Sequence, residues 1–355
     1  MKLSEVDKTY KFVSADNQKD LVLFDVLNKP FSLHGMFYEE GKFKRLPLSV
    51  AKTVSDGVVV LHSIPAGGRV KFKTNSQTVA LFIEYEPYAY SNQPISASAG
   101  FDIFADGKHV KSVFQNLPNS GVFEKVEKFS SYATFKNKKF REITVYFPIY
   151  SRVRRVMVGI KENSEAKESK DYKDIPPIVY YGSSITQGCC SSKPSTIYEG
   201  FIERWTKTDF INFGFAGNCR GEKNIVDYIS KINMSAFILD YDYNSTSVEQ
   251  LNQTHYNCYK TVREMHPNIP IIMLSRPEAH KCDESIKKRD VIKNTYLRSL
   301  DEGDKKTAFI DGHKIFGKND ADVCTVEGCH PTDLGFYKMA KKIYKVLSSF
   351  DEFKV

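Results

Sequence analysis

After Pro176-Pro177 the chain changes its pattern, and that change limits its fold more than any other feature. Short apolar runs of strand length then alternate with longer segments of helical period, five times in succession. The runs cover residues 178–181, 210–213, 236–239, 269–274 and 308–310. The segments between them carry apolar stripes such as Leu251, His255, Cys258, Val262 and Met265, spaced by four and three. Continuous apolar runs fit strands buried on both faces, and repeated strand–helix units wind right-handed into a parallel sheet. Residues 171–355 therefore predict a five-stranded parallel sheet with helices on both sides, a three-layer α/β/α domain. One helix is expected to start at Thr196, with Glu199 completing a capping box, and the last to start at Asp333. His255 and Trp205 are read as packing residues.

The preceding half reads differently. Residues 58–61, 70–73, 79–85, 101–104, 110–114, 143–149 and 156–160 are short β-type runs with no helical period between them. Asp106-Gly107 separates two of them and is a hairpin signal. This predicts an antiparallel β-sandwich over residues 1–170. Residues 37–47 are read as a loop reaching toward the second half, and 163–177 as a polar linker.

At 355 residues two domains are the default. A net charge of +8 is spread among 51 basic and 43 acidic residues, so there is no nucleic-acid footprint. No apolar run spans a bilayer, and residues 1–20 lack the core of a secretory leader. A soluble, cytoplasmic protein is expected. The seven cysteines all lie from Cys189 onward, and an odd, one-sided set fits reduced thiols rather than a disulfide framework. The sequence leaves the oligomeric state open.

Parallel α/β sheets collect ligands beyond the carboxyl ends of their strands. The polar blocks of this chain fall there: Ser184 after the first strand, Gly217 after the second and Asn244 after the third. Glu327 and His330 precede the last helix. A serine hydroxyl needs a base to become a nucleophile, and His330 is the candidate, with Glu327 to fix its tautomer. The backbone N–H groups of Ser184 and Gly217 and the Asn244 amide can receive the oxyanion of acyl transfer. The plainer alternatives are a turn serine, a loop histidine, a glycine kept for its backbone angles, an Asx turn at Asn244 and a solvated Glu327. Arg220 and Arg276 follow strand ends and fit either substrate contact or plain surface. Asp240 and Asp242 lack further ligands at metal spacing, and Cys189, Cys190, Cys219 and Cys329 form no Cys-x-x-Cys pair. No metal or cofactor is expected, and these thiols are read as lining a pocket.

Four blocks, Gly-Ser-Ser-Ile-Thr-Gln-Gly (182–188), Asn-Phe-Gly-Phe-Ala-Gly-Asn (212–218), Asp-Tyr-Asp-Tyr-Asn (240–244) and Glu-Gly-Cys-His-Pro-Thr-Asp-Leu-Gly (327–335), resemble in order those of the SGNH (GDSL-type) hydrolases. Ala-Gly-Phe-Asp-Ile-Phe (99–104) resembles the Gly-x-Asp-Leu-Tyr segment of the N-terminal domain in a two-domain subgroup. Ser183 stands where the name-motif has Asp, and Glu327 where the last block usually has Asp. The resemblance implies a flavodoxin-like catalytic domain behind a jelly-roll-like sandwich, and a metal-independent serine esterase. The expected substrate is a small-molecule or oligosaccharide acyl ester, with acetyl on a carbohydrate as the leading case. A longer-chain esterase, thioesterase or lysophospholipase and a non-catalytic carbohydrate-binding protein remain as alternatives.

Overall fold

The computed structural model describes all residues except 1–14, 16, 17, 19, 89–91, 116–126, 279–281, 318 and 355. The stretch 1–20, read above for a leader, lies largely outside the described residues.

The first half contains strands β1 (Leu21–Asp25), β2 (Ser32–His34), β3 (Phe37–Glu39) and β4 (Lys42–Lys44), then two short helices, α1 (Leu48–Ala51) and α2 (Asp56–Leu61). Next come β5 (Arg69–Thr74), β6 (Thr78–Glu86), the helical turn α3 (Ile95–Ser98), β7 (Phe101–Ala105) and β8 (Lys108–Val113). Strands β9 (Lys128–Thr134), β10 (Arg141–Tyr146), β11 (Arg152–Lys161) and β12 (Ala166–Lys167) complete it. One sheet has the order β1-β11-β6-β9; the other runs β12-β5-β10-β7-β8, with β2 also on β5. All their pairings are antiparallel. Alternate residues such as Phe72, Leu81, Ile103, Val145 and Val158 face inward and form one core. The β7–β8 turn places Asp106 at φ 50° and Gly107 at φ 74°, the left-handed pair that a two-residue hairpin requires.

The second half comprises β13 (Ile178–Gly182), α4 (Ser184–Gln187), α5 (Tyr198–Thr206), β14 (Phe210–Gly214), α6 (Lys223–Ile229) and β15 (Ala236–Asp240). It continues with α7 (Val248–Met265), β16 (Ile271–Leu274), α8 (Asp283–Asp301), β17 (Thr307–Ile310) and α9 (Asp333–Leu347). Its five strands are parallel in the order β14-β13-β15-β16-β17, so strand order reverses beside β13. That switch point is where doubly wound sheets open a crevice. Gly182 on β13 lies level with Gly214 on β14 and Asp240 on β15, which brings three of the four blocks to one edge.

Four expectations change. Residues 37–47, read as a loop, hold the antiparallel hairpin β3–β4, in which Phe37 lies level with Lys44 and Glu39 with Lys42; three-residue strands are too short to show a period. Residues 58–61 are helical, not a strand: Ser55 caps α2 by accepting the Val58 N–H, and Val58 and Leu61 turn one buried face into the core of the second half. Four apolar residues without a period cannot distinguish the two states. The capping box at Thr196 does not form. Pro194–Thr196 makes a 3₁₀ turn, α5 begins at Tyr198, and the Glu199 carboxylate turns inward to accept from Asn212 Nδ2 at 3.0 Å. The stretch read as a linker is anchored: Ala166–Lys167 pairs with β5, and Asp171 accepts from Lys71 at 3.1 Å and Lys207 at 3.0 Å.

Candidate active site

The tight strand-to-helix turn after β13 presents Ser184. Ser183 caps the following turn by accepting the Ile185 N–H at 3.2 Å, so Ser184 starts α4 with its side chain free to face the crevice. Gly182 leaves no room for a side chain, since a Cβ there would meet Thr186 Oγ1 at 2.0 Å. His330 arrives from the loop before α9. Its Nε2 lies 2.8 Å from Ser184 Oγ, although 146 residues separate them. On the other side of the ring, Nδ1 is hydrogen-bonded to Glu327 Oε1, and the His330 backbone N–H donates to the same oxygen at 3.2 Å. The imidazole is one-fifth exposed and Glu327 two-fifths exposed, so the pair is open to solvent on one side.

Gly217 sits at φ 70°, in the left-handed region, in the loop after β14. Gln187 steadies that loop: its Oε1 accepts the Ala216 N–H at 3.1 Å, and its Nε2 donates to the Ile149 carbonyl at 3.0 Å. Asn244 closes the 3₁₀ turn Asp242–Asn244 after β15. Its Oδ1 accepts the Cys219 N–H at 3.4 Å, which leaves the Nδ2 donors as the end available to another acceptor.

Two buried carboxyls lie under the site. Burial, and then the neighbouring Asp242, push the Asp240 carboxyl up to about 8; its Oδ2 accepts from Thr186 Oγ1 at 3.3 Å. Burial also raises Asp242 to about 6, and it accepts the Arg276 N–H at 3.0 Å. Arg276 lies over the Tyr243 ring at 4.8 Å and pairs with Glu278. Arg220 Nη2 reaches the Gly217 carbonyl at 3.5 Å. His255 is a packing residue: its Nδ1 lies 2.9 Å from Thr295 Oγ1, and burial drives its pKa down to about 3.

The first half of the chain takes part through Asp102 and Arg45, which lie in the two stretches singled out above but whose roles the sequence did not assign. Asp102 is fully buried; its Oδ2 accepts the Ser195 N–H at 3.1 Å and its Oδ1 the Ser112 hydroxyl at 2.6 Å. Arg45, at the end of the stretch read as a reaching loop, donates Nη1 to Asn212 Oδ1 at 3.1 Å and covers the Phe215 ring at 4.6 Å. Asn212 in turn donates to the Thr186 carbonyl and accepts the Gly214 N–H at 2.9 Å, so it joins the first block to the second. On the far side, Asp333 accepts the Ser192 N–H and the Thr196 hydroxyl, both at 2.8 Å. Aspartates at segment starts are too common for their roles to be read from sequence.

Comparison with known proteins places these blocks. The model of the GDSL-like lipase/acylhydrolase family matches residues 176–348, and that of the N-terminal domain of SGNH-type esterases, named GxDLY, matches 21–166. The chain belongs to the SGNH (GDSL-type) hydrolases. As a member of this family it is a carboxylic ester hydrolase, and its α/β/α domain and antiparallel sandwich are the family's two-domain form. A Bacteroides ovatus protein described as a GDSL-like lipase superposes with a TM-score of 0.81 at 24% identity, over 93% of this chain and 97% of that one. A salicylyl-acyltransferase from a tetracycline biosynthetic pathway gives 0.77 at 16% identity, over 94% and 98%. A family two carbohydrate esterase from Clostridium thermocellum, in complex with cellohexaose, gives 0.62 at 12%, over 90% and 98%. At these identities the likeness is one of fold. Among curated proteins, none matches the chain. No described helix is long and apolar enough to cross a membrane.

Proposed function

We propose that this SGNH hydrolase removes a small acyl group, foremost acetyl, from a carbohydrate, with Ser184 as nucleophile and His330 as base. The reading rests on one observation, the 2.8 Å hydrogen bond between Ser184 Oγ and His330 Nε2. As Oγ attacks the acyl carbon, its proton passes to Nε2, and Glu327 stabilises the imidazolium through Nδ1–H. The carbonyl oxygen becomes an oxyanion, received by the N–H groups of Ser184 and Gly217 and by the Asn244 amide. Collapse expels the sugar alkoxide, which takes the proton from Nε2. A water then loses a proton to His330, attacks the acyl-serine and releases the carboxylic acid.

The small acyl group is supported by the shared architecture with an acetyl xylan esterase from a rumen bacterium, over 93% of this chain. The sugar is supported by the shared architecture with a carbohydrate esterase along nine-tenths of the chain. Seven unpaired cysteines suit a reducing, cytoplasmic compartment.

The test is hydrolysis of p-nitrophenyl esters of graded chain length and of an acetylated oligosaccharide, run beside Ser184→Ala. This reading expects the highest kcat/KM for acetate, acetate release from the sugar, and loss of at least about a thousandfold in the variant. A maximum at long chains would assign the protein to the lipid or thioester class. Absence of turnover would leave the non-catalytic binding alternative.

A further inference from the structure

We infer that Cys189, Cys190 and His330 form a binding site for a thiophilic divalent cation of the zinc type, and that its occupation switches the Ser184–His330 pair off. Consecutive side chains normally diverge. Here Gly188 at φ 106° and Cys190 at φ 70° fold the chain back on itself after α4. The turn brings Cys189 Sγ and Cys190 Sγ to 3.7 Å. Two thiolates on a tetrahedral zinc, each at about 2.3 Å, are about 3.8 Å apart. The pair is therefore already spaced for chelation. One ligand atom from each of Cys189, Cys190 and His330 lies within 4.8 Å of the other two. A zinc-bound thiolate and imidazole nitrogen are about 3.5 Å apart, so side-chain rotation of about an ångström closes the set.

The imidazole is prepared for such an ion. Glu327 holds Nδ1, which directs the remaining lone pair to Nε2 and supplies the outer carboxylate usual behind a metal-bound histidine. Nε2 is also the atom facing the Ser184 hydroxyl, so an ion on it removes the base that the proposed esterase needs. That consequence rests on the proposed function; the binding itself does not. Binding exchanges two thiol protons, released to solvent, for two metal–sulfur bonds and one metal–nitrogen bond. The fourth position is left to water or Ser184 Oγ. Neither thiol has a part in acyl transfer: Cys190 donates to the Asn92 carbonyl at 3.2 Å, and Cys189 accepts from Gln93 Nε2 at 3.2 Å. Cys329 and Glu327 form a competing set around the same histidine.

The experiment titrates the full chain, stripped with a chelator, with Cd²⁺ and with Zn²⁺. Cadmium–thiolate absorbance reports binding, and hydrolysis of an acetate ester reports the state of the catalytic pair. A single tight site is expected, with inhibition at the same ion concentration that chelator reverses. Cys189→Ala and Cys190→Ser, the latter keeping a donor for Asn92, each raise the half-inhibitory concentration by at least about tenfold when inhibition is scored against that variant's own ion-free rate, the low end for losing even an outer-shell partner. The proposal is overturned if the double variant is inhibited equally, if Cys329→Ser alone abolishes the effect, or if cadmium binds without loss of turnover. Cadmium absorbance is readable even if the protein hydrolyses no ester, so failure of the site and failure of the esterase reading are distinguishable.

Discussion

Asp102 Oδ2 accepts the backbone N–H of Ser195 at 3.1 Å, joining the β-sandwich to the loop that follows the first catalytic block. Asp102 belongs to the Ala-Gly-Phe-Asp-Ile-Phe segment, so the N-terminal domain's signature residue acts by holding the second domain's active-site loop. Asp102→Ala leaves the Ser195 N–H and the Ser112 hydroxyl without their buried acceptor. Each such loss costs about 1–3 kcal/mol. Urea unfolding should show this cost, together with a fall in kcat. An unchanged kcat at full occupancy of the fold would mean that the loop holds its position without the sandwich.

Asp333 does the same from the opposite side, through Ser192 and Thr196. It lies three residues after His330, so it couples the histidine's loop to the nucleophile's loop. Asp333→Ala should lower kcat by about tenfold to a hundredfold, as misplacement near reacting groups does, with a smaller change in KM. A pure KM effect would argue instead that the loop only contacts substrate.

Glu327 is the most exposed member of the proposed triad, yet it receives both the Nδ1 side of His330 and its backbone N–H. Glu327→Gln should reduce kcat by at least about tenfold. Steady-state rates on an acetate ester decide it; a smaller loss would mean that another group orients the imidazole.

Stability should depend on pH through Asp240. Its folded pKa is raised to about 8, by burial first and then by Asp242, against about 3.9 in an unfolded chain. The folded state keeps a proton that the unfolded state has released. The contribution is therefore fully present below about pH 4 and is lost as pH rises through about 8. Asp240→Asn should flatten the decline in unfolding free energy between about pH 5 and about pH 9. An identical slope in the variant would show that the proton belongs to another group.

The two domains meet at Arg69, which is fully buried and pairs with Asp209, the residue before β14. Burial alone would raise the Asp209 carboxyl, but Arg69 and His34 outweigh it and hold the group below the ordinary carboxylate value. Asp209→Ala strands a buried guanidinium and should cost about 3–5 kcal/mol. Chemical denaturation measures it, and a loss under about 1 kcal/mol would indicate that Tyr172 and the Phe210 carbonyl suffice for Arg69.

Much of this organisation is legible in the sequence because it is local. Runs such as Ala236–Asp240 and stripes such as that of α7 carry their own period, and right-handed crossovers then constrain the sheet. The polar blocks follow, since parallel strands deliver their carboxyl ends to one edge. What escapes is long-range or aperiodic. Val58 to Leu61 is apolar without a period, and its helical state depends on Ser55 and on a core more than a hundred residues away. Thr196 satisfies a capping pattern, but Pro194 and Asp333 claim it for a different turn. Arg45 and Asp102 act across the domain interface, where no spacing rule reaches. The thiol pair is visible only once Gly188 and Cys190 turn left-handed.

The central claim is that His330 makes Ser184 a nucleophile. Intact-mass analysis after treatment with a fluorophosphonate tests it most directly. A single adduct mapped to Ser184 is expected, absent from Ser184→Ala and formed at least about a thousandfold more slowly in His330→Ala. An adduct on another residue, or undiminished labelling without the imidazole, would contradict it.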